Sequence, residues 1–199
     1  MKGTIFFDID TQHNFMHKDG RFYVPDAEKI IPKLKRITDF ASKNWISIVA
    51  SIDLQKSGVE ILANYANQAN GYRKIPETTL PNAKIIPNNK LENGQLKDIL
   101  EKYSRFWIFK QKNDIFSNPN TKEIIKNAKR ACVYGVATDY CVKAAVLGLR
   151  DMDIETYVVR DAIKPAFRKN EDKDLELFRK KGAKLLTTSQ LLSRRLQYT

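Results

Sequence analysis

Arg130-Ala131-Cys132-Val133-Tyr134-Gly135-Val136-Ala137-Thr138-Asp139-Tyr140-Cys141-Val142-Lys143-Ala144-Ala145 is the stretch from which the rest of the chain can be read. An apolar run breaks at Gly135 and a small polar turn, then resumes as Cys141-Val142 and an alanine-rich segment to Leu149, the pattern of strand, sharp turn and helix. The turn places Cys141 in the first helical turn, where unpaired backbone N–H groups and the positive end of the helix dipole favour thiolate over thiol. A nucleophilic cysteine is therefore expected there. The plain alternative is a small core hydrophobe in an alanine-rich helix.

Upstream, Thr4-Ile5-Phe6-Phe7-Asp8-Ile9-Asp10 is a short apolar run that turns polar at its carboxyl end, as a buried parallel strand does where its tip reaches a functional edge. The run from Trp45 to Ile52 is a second strand, ending at Asp53, and Arg105-Phe106-Trp107-Ile108-Phe109 is another, ending at Lys110. Downstream, Ile154 to Val159 and Lys184 to Leu186 complete six. Between them, helical patterns run from Asp26 to Phe40, around Thr121 to Asn127, from Glu171 to Lys181 and from Ser189 to Leu196. The segment from Leu54 to Tyr103, with Pro76, Pro81 and Pro87 and the polar Asn88 to Gly94, carries no motif; a short helix, an excursion and another helix are expected in it. Strand and helix alternate throughout, which predicts a three-layer α/β/α arrangement, a parallel sheet with helices on both faces.

At 199 residues with 42% hydrophobic content spread along the chain, residues 1–199 are expected to form one domain with a full core. Met1-Lys2-Gly3 leads straight into the first strand, and no run approaches the roughly 18 apolar residues of a membrane span, so a cytoplasmic protein with no membrane partner is expected. Cys132 and Cys141 make no disulfide framework, and Cys132 reads as a core thiol. The formal charge of +12 raises the question of an acidic partner. Clusters such as Arg168-Lys169, Arg179-Lys180-Lys181 and Arg194-Arg195 alternate with acids or apolar residues, however, and no RNA-binding aromatic motif or helix-turn-helix accompanies them. A solvated basic surface is the expectation, not a nucleic-acid partner.

Ligands of open parallel sheets bind outside the carboxyl ends of the strands, near the point where strand order reverses. If the strands ending at Asp10, Lys110 and the turn to Cys141 are neighbours, an acid, a base and a thiol share one pocket. Taken singly, a strand-end aspartate is a turn former and a lysine after a strand is solvated.

Three separated motifs resemble those of the isochorismatase-like cysteine hydrolases, which include the nicotinamidases. Asp10-Thr11-Gln12-His13-Asn14-Phe15 is similar to the family's D-x-Q-x-D-F, with Asn14 where an acid is common. Lys110, followed six residues later by Phe116, resembles the catalytic-lysine segment, although Asp114-Ile115 replaces the usual Ser-Ala. Gly135-Val136-Ala137-Thr138-Asp139-Tyr140-Cys141-Val142 resembles its most specific signature, and the resemblance runs in register from about residue 4 to 190.

Carried over by position, the resemblance implies a Cys141, Asp10, Lys110 triad on a mainly parallel six-stranded Rossmann-like sheet. In it, Lys110 and the helix N-terminus lower the thiol pKa, while Asp10 accepts the Cys141 proton and returns it to the leaving amine. Attack on an amide-type carbonyl gives a thioester that an Asp10-activated water hydrolyses. Backbone N–H groups of Ala137 and Cys141 would hold the oxyanion, positioned by a cis peptide between Val136 and Ala137. Phe15, Phe116 and Tyr140 would wall a small planar substrate, with His13 adding a polar contact; the alternatives are core aromatics and an exposed loop histidine.

The nicotinamidases' metal site opens with D-x-H at the end of the second strand, where this chain has Asp53-Leu54-Gln55, and its only histidines, His13 and His17, lie upstream; family members acting on carbamoyl compounds and ureido acids share the triad without the metal. An amide oxygen replaces imidazole poorly on a zinc-like ion, so no metal or other cofactor is expected and nicotinamide becomes a doubtful substrate. The resemblance then implies a metal-independent hydrolase acting on the C–N bond of a small amide or carbamoyl compound, in a homo-oligomer. The alternatives are a nicotinamidase with a degraded metal site and a catalytically silent scaffold with a basic surface.

Overall fold

Buried runs of β-branched and aromatic residues supply the sheet: β1 (Thr4–Ile9), β2 (Ser47–Asp53), β3 (Lys84–Ile86), β4 (Arg105–Lys110), β5 (Arg130–Val136), β6 (Glu155–Lys164) and β7 (Lys184–Leu186). The computed structural model describes residues 3–54 and 71–193. All neighbouring strands pair in parallel, in the order β3-β4-β2-β1-β5-β6-β7. The sheet thus has seven strands, not the six read from the sequence. The additional strand, β3, is three residues long between Pro81 and Pro87, too short to show an alternating pattern, and it gains its place by pairing Ile85 with Trp107 and Ile86 with Ile108.

Helices α1 (His13–Met16), α2 (Ile31–Lys43), α3 (Asn93–Lys102), α4 (Thr121–Ile124), α5 (Lys143–Asp151), α6 (Glu171–Lys180) and α7 (Thr188–Ser193) connect and cover the strands. The helix expected soon after Leu54 and the end of the last expected helix, with Arg194-Arg195, lie outside the described residues.

Because successive strand residues face opposite ways, the sheet divides the core in two. Phe6, Ile48, Ala50, Tyr134 and Val159 pack on one side with Leu34 and Ile37 of α2, and Cys132 lies among them. Phe7, Val49, Ile108 and Val133 pack on the other with Val146 of α5 and Phe178 of α6. Among the described residues no helix is long and apolar enough to cross a membrane.

Chain order runs outward from β1 in both directions, toward β2 and β4 on one side and β5 on the other, so the reversal point lies at the carboxyl end of β1. Gly135 makes the approach of β5 possible there. Its φ is +113°, and a Cβ would lie 2.1 Å from the Ile9 carbonyl oxygen, so only a residue without a side chain fits beside the tip of β1.

Candidate active site

Asp10 is the first residue beyond β1, Asp53 ends β2 and Lys110 ends β4. Since these strands are successive neighbours and Asp53 pairs in register with Lys110, three charged side chains reach one edge within two strand spacings. The chain past β5 enters the π-helical turn Thr138–Val142, closed by a Val142 N–H to Ala137 carbonyl hydrogen bond of 3.1 Å, and α5 follows. Single π turns occur frequently at functional sites because they re-aim one side chain. Here Cys141 is turned toward the strand tips, where its Sγ lies 3.6 Å from Lys110 Nζ.

Lys110 is the hub. Its ammonium lies 2.9 Å from Asp10 Oδ2 and 3.0 Å from Asp53 Oδ2, and its side chain is fully buried. Asp10, in the left-handed region at φ 48°, is held by Ser51, whose hydroxyl donates to Asp10 Oδ1 at 2.5 Å and accepts from the Asp10 N–H at 3.0 Å. Gln12 clamps the neighbouring tip: its carboxamide accepts from the Asp53 N–H at 2.7 Å and donates to the Asp53 and Tyr72 carbonyls. The Val136–Ala137 peptide is cis, as the resemblance implied.

The electrostatics correct one expectation. Burial pushes the Cys141 thiol well above its ordinary pKa, the Asp10 carboxylate adds to the rise, and Lys110 opposes both without prevailing. The helix start and the lysine were expected to lower it; what was not visible is that two carboxylates share the one ammonium. Burial alone would depress Lys110, but Asp10 first, then the sulfur and Asp53, hold it above the usual lysine range. The resting arrangement is a protonated thiol beside a fixed cation and two carboxylates.

Asp10, Lys110 and Cys141 are thus brought together. Of the four residues expected around the substrate, Phe116 packs in the same cluster as Cys141 and Tyr140 precedes the cysteine in the chain, while Phe15 lies on the other side of the sheet. Phe15 packs against the α2 side of the sheet and Phe116 against the α5 side, where its ring fills the space a Cβ on Gly148 would need. Tyr140 is half-exposed, its ring 6.3 Å from that of exposed Phe167. His13 stacks on His17 at 4.6 Å, lies 3.6 Å from Asp19, and lines a cavity of about 560 Å³ with Arg21 and Arg73. Cys141 lines neither this cavity nor the larger one of about 670 Å³ beside Trp107.

The sequence motifs do not single out Ser51 or Gln12 as site residues, and they mark Asp53 only as the start of a lost metal site. One signal was available: Ser51 and Asp53 are polar at alternate positions of the carboxyl half of β2, so both sit on one face of it. Asp139, two residues before the cysteine, is buried and accepts from the Ala166 and Phe167 N–H groups at 2.8 and 3.1 Å, which ties the loop after β6 to the cysteine turn.

One oxygen each of Asp10 and Asp53 and the Cys141 sulfur lie within 4.8 Å of one another, a spacing that could hold a metal ion. The donors do not fit one here, because the Lys110 ammonium already sits within 2.9 to 3.6 Å of all three side chains. Gln55, where the family's histidine would stand, lies outside the described residues.

The sequence profile of the isochorismatase domain matches residues 4–190. No curated protein matches the chain significantly. Among solved structures, the zinc complex of Pyrococcus horikoshii pyrazinamidase superposes with a TM-score of 0.66 at 22% identity, covering 92% of this chain and 98% of that one. A cysteine hydrolase from Pseudomonas syringae gives 0.74 at 12% identity, covering 96% and 91%. The Staphylococcus aureus nicotinamidase gives 0.67 at 17% identity, covering 93% and 99%. At these identities the likeness is one of fold.

Proposed function

The chain belongs to the isochorismatase-domain family of cysteine hydrolases, and we propose that within it the protein is a metal-independent enzyme cleaving the C–N bond of a small amide or carbamoyl compound. The observation that carries this reading is Lys110, fully buried, with its ammonium 2.9 Å from Asp10 and 3.6 Å from Cys141. A buried lysine is retained only where partners compensate its charge, and here those partners are a base and a nucleophile.

In the proposed reaction Cys141 Sγ attacks the substrate carbonyl carbon while its proton passes to Asp10. The raised thiol pKa makes this transfer part of the attack, because little thiolate exists beforehand. The N–H groups of Ala137 and Cys141 take the developing oxyanion. Asp10 returns the proton to the leaving nitrogen, the C–N bond breaks, and ammonia or an amine departs. A water deprotonated by Asp10 then attacks the thioester, releasing the acid and restoring the thiol. Lys110 keeps its proton throughout and holds Asp10, Asp53 and the sulfur in place. Both cysteines are unbridged, as a cytoplasmic setting would keep them.

Ammonia release from a panel of small amides, carbamoyl amino acids and ureido acids tests the reading. Turnover by the wild type in the presence of a chelator, absent from Cys141→Ala, is expected. Turnover that a chelator abolishes, or that survives in Cys141→Ala, would contradict it.

A further inference from the structure

Helix α2 ends in a turn that makes no use of its own residue type. Ile46 N–H donates to the Ala41 carbonyl at 2.9 Å and Trp45 N–H to the Ser42 carbonyl at 3.4 Å, which places Trp45 in the left-handed region at φ 56°. That position after a helix is one that glycine fills at no steric penalty and other residues fill under strain. Trp45 is in addition 84% exposed. Folding would be better served by glycine on both counts, so the indole points to a use outside folding.

Its surroundings say which. Trp45 borders a cleft of about 340 Å³ lined also by Ile46, Pro81, Lys102, Tyr103 and Arg105, from the amino-terminal ends of β2, β3 and β4. The Lys84 ammonium lies over the Tyr103 ring, 5.7 Å from its centroid, and Lys43 occupies the last turn of α2, two residues before Trp45. No acidic residue lines this cleft among the described residues; Glu101, next to Lys102, lines a different depression. The basic residues that look scattered in the sequence are therefore partly gathered by the fold, from the end of α2, from β3 and from the stretch Lys102 to Arg105, around two aromatic rings.

We propose that this cleft binds single-stranded nucleic acid, with a base stacked on Trp45 and the phosphates taken by Lys43, Lys84, Lys102 and Arg105. Stacking on aromatic faces combined with a basic groove is how single strands are held without sequence preference. Charge selects this occupant over a second copy of the chain, whose own +12 would be brought against the same basic rim. The site is separate from the catalytic one: Arg105 and Lys110 are opposite ends of β4, roughly 17 Å apart at the rise of an extended strand.

The test is fluorescence anisotropy of a labelled single-stranded oligouridylate with the full chain, titrated at salt concentrations from about 50 to 200 mM. Trp45→Gly and Trp45→Asn should each weaken binding by roughly tenfold or more, while their melting temperatures do not fall and amide turnover is unchanged. Lys102→Gln with Arg105→Gln should reduce the slope of log affinity against log salt by about 1.4. Undiminished binding by both Trp45 variants, equal affinity for a duplex of the same sequence, or no binding at the lowest salt would overturn the proposal. So would a wild-type dimer that Trp45→Gly dissociates in sedimentation, since the cleft would then be a contact between copies.

Discussion

Replacing Asp53 by asparagine removes one negative charge from the site without removing a member of the triad. Its carboxylate lies 3.0 Å from Lys110 Nζ, and an Asp53 oxygen lies within 4.8 Å of the Cys141 sulfur. A unit charge at that distance and an effective dielectric near 20 is worth about 3.5 kcal/mol before any rearrangement. Movement of Lys110 toward Asp10 absorbs part of this, so the Cys141 thiol pKa should fall from its raised position. The thiolate fraction at neutral pH then rises, and because nucleophilicity falls less steeply than pKa, with a Brønsted coefficient of about 0.4–0.5, exchange should speed up by roughly three- to tenfold. The assay is thiol–disulfide exchange with a small disulfide at pH 7, with the modified peptide mapped to separate Cys141 from buried Cys132. Unchanged or slower reaction of Cys141 in Asp53→Asn would refute the placement of Asp53 as a charge that restrains the thiol.

Other perturbations probe the frame around the site. Hydrogen bonds from Lys184 first, then Arg130, lower the Glu155 carboxyl to about 2. A depressed folded-state pKa gives stability that is present above the unfolded value near 4.5 and lost as pH falls toward 2; with Glu155 about one-third exposed, screening leaves about 1 kcal/mol. Urea denaturation should therefore show Glu155→Gln less stable than wild type at pH 7 and the gap closing at pH 3; a gap that widens on acidification has the wrong sign. Gly135→Ala, forced to place a Cβ 2.1 Å from the Ile9 carbonyl, should lose more than about 3 kcal/mol, whereas Gly94→Ala in α3, with nothing within 4 Å, should be neutral or stabilising. Thermal melts that rank the two the other way would contradict the β1–β5 contact. Asp139→Ala removes the acceptor of the Ala166 and Phe167 amides, so these should exchange with solvent roughly tenfold faster; unchanged exchange would show that the loop is held by other contacts.

Local pattern made the three strand-end residues legible. Asp10, Lys110 and Cys141 each follow an apolar run that turns polar at its carboxyl end, and that transition survives in one dimension because a buried parallel strand is apolar on both faces. Strand order is not local. Asp53 was visible as a strand-end acid, but its contact with Lys110 depends on β4 pairing with β2, a choice made by packing across more than fifty residues of chain. The direction of the thiol pKa was lost for the same reason: the helix start and the lysine lie in the motifs, while the second carboxylate arrives through the sheet. β3 left no readable trace because three residues between prolines carry no period. Phe116 reads equally as a substrate wall or a core aromatic until α5 is placed above it, with Gly148 supplying the room.

In the proposed reaction Cys141 forms a thioester with an amide or carbamoyl substrate without help from a metal. Intact-mass analysis of protein mixed with a turned-over amide and chelator, then quenched in acid within the first turnovers, addresses it directly. An acyl-sized mass increase is expected on the peptide containing Cys141, absent from Cys141→Ala and discharged by hydroxylamine. Turnover with no adduct at Cys141, or an adduct that forms only when zinc is restored, would contradict it.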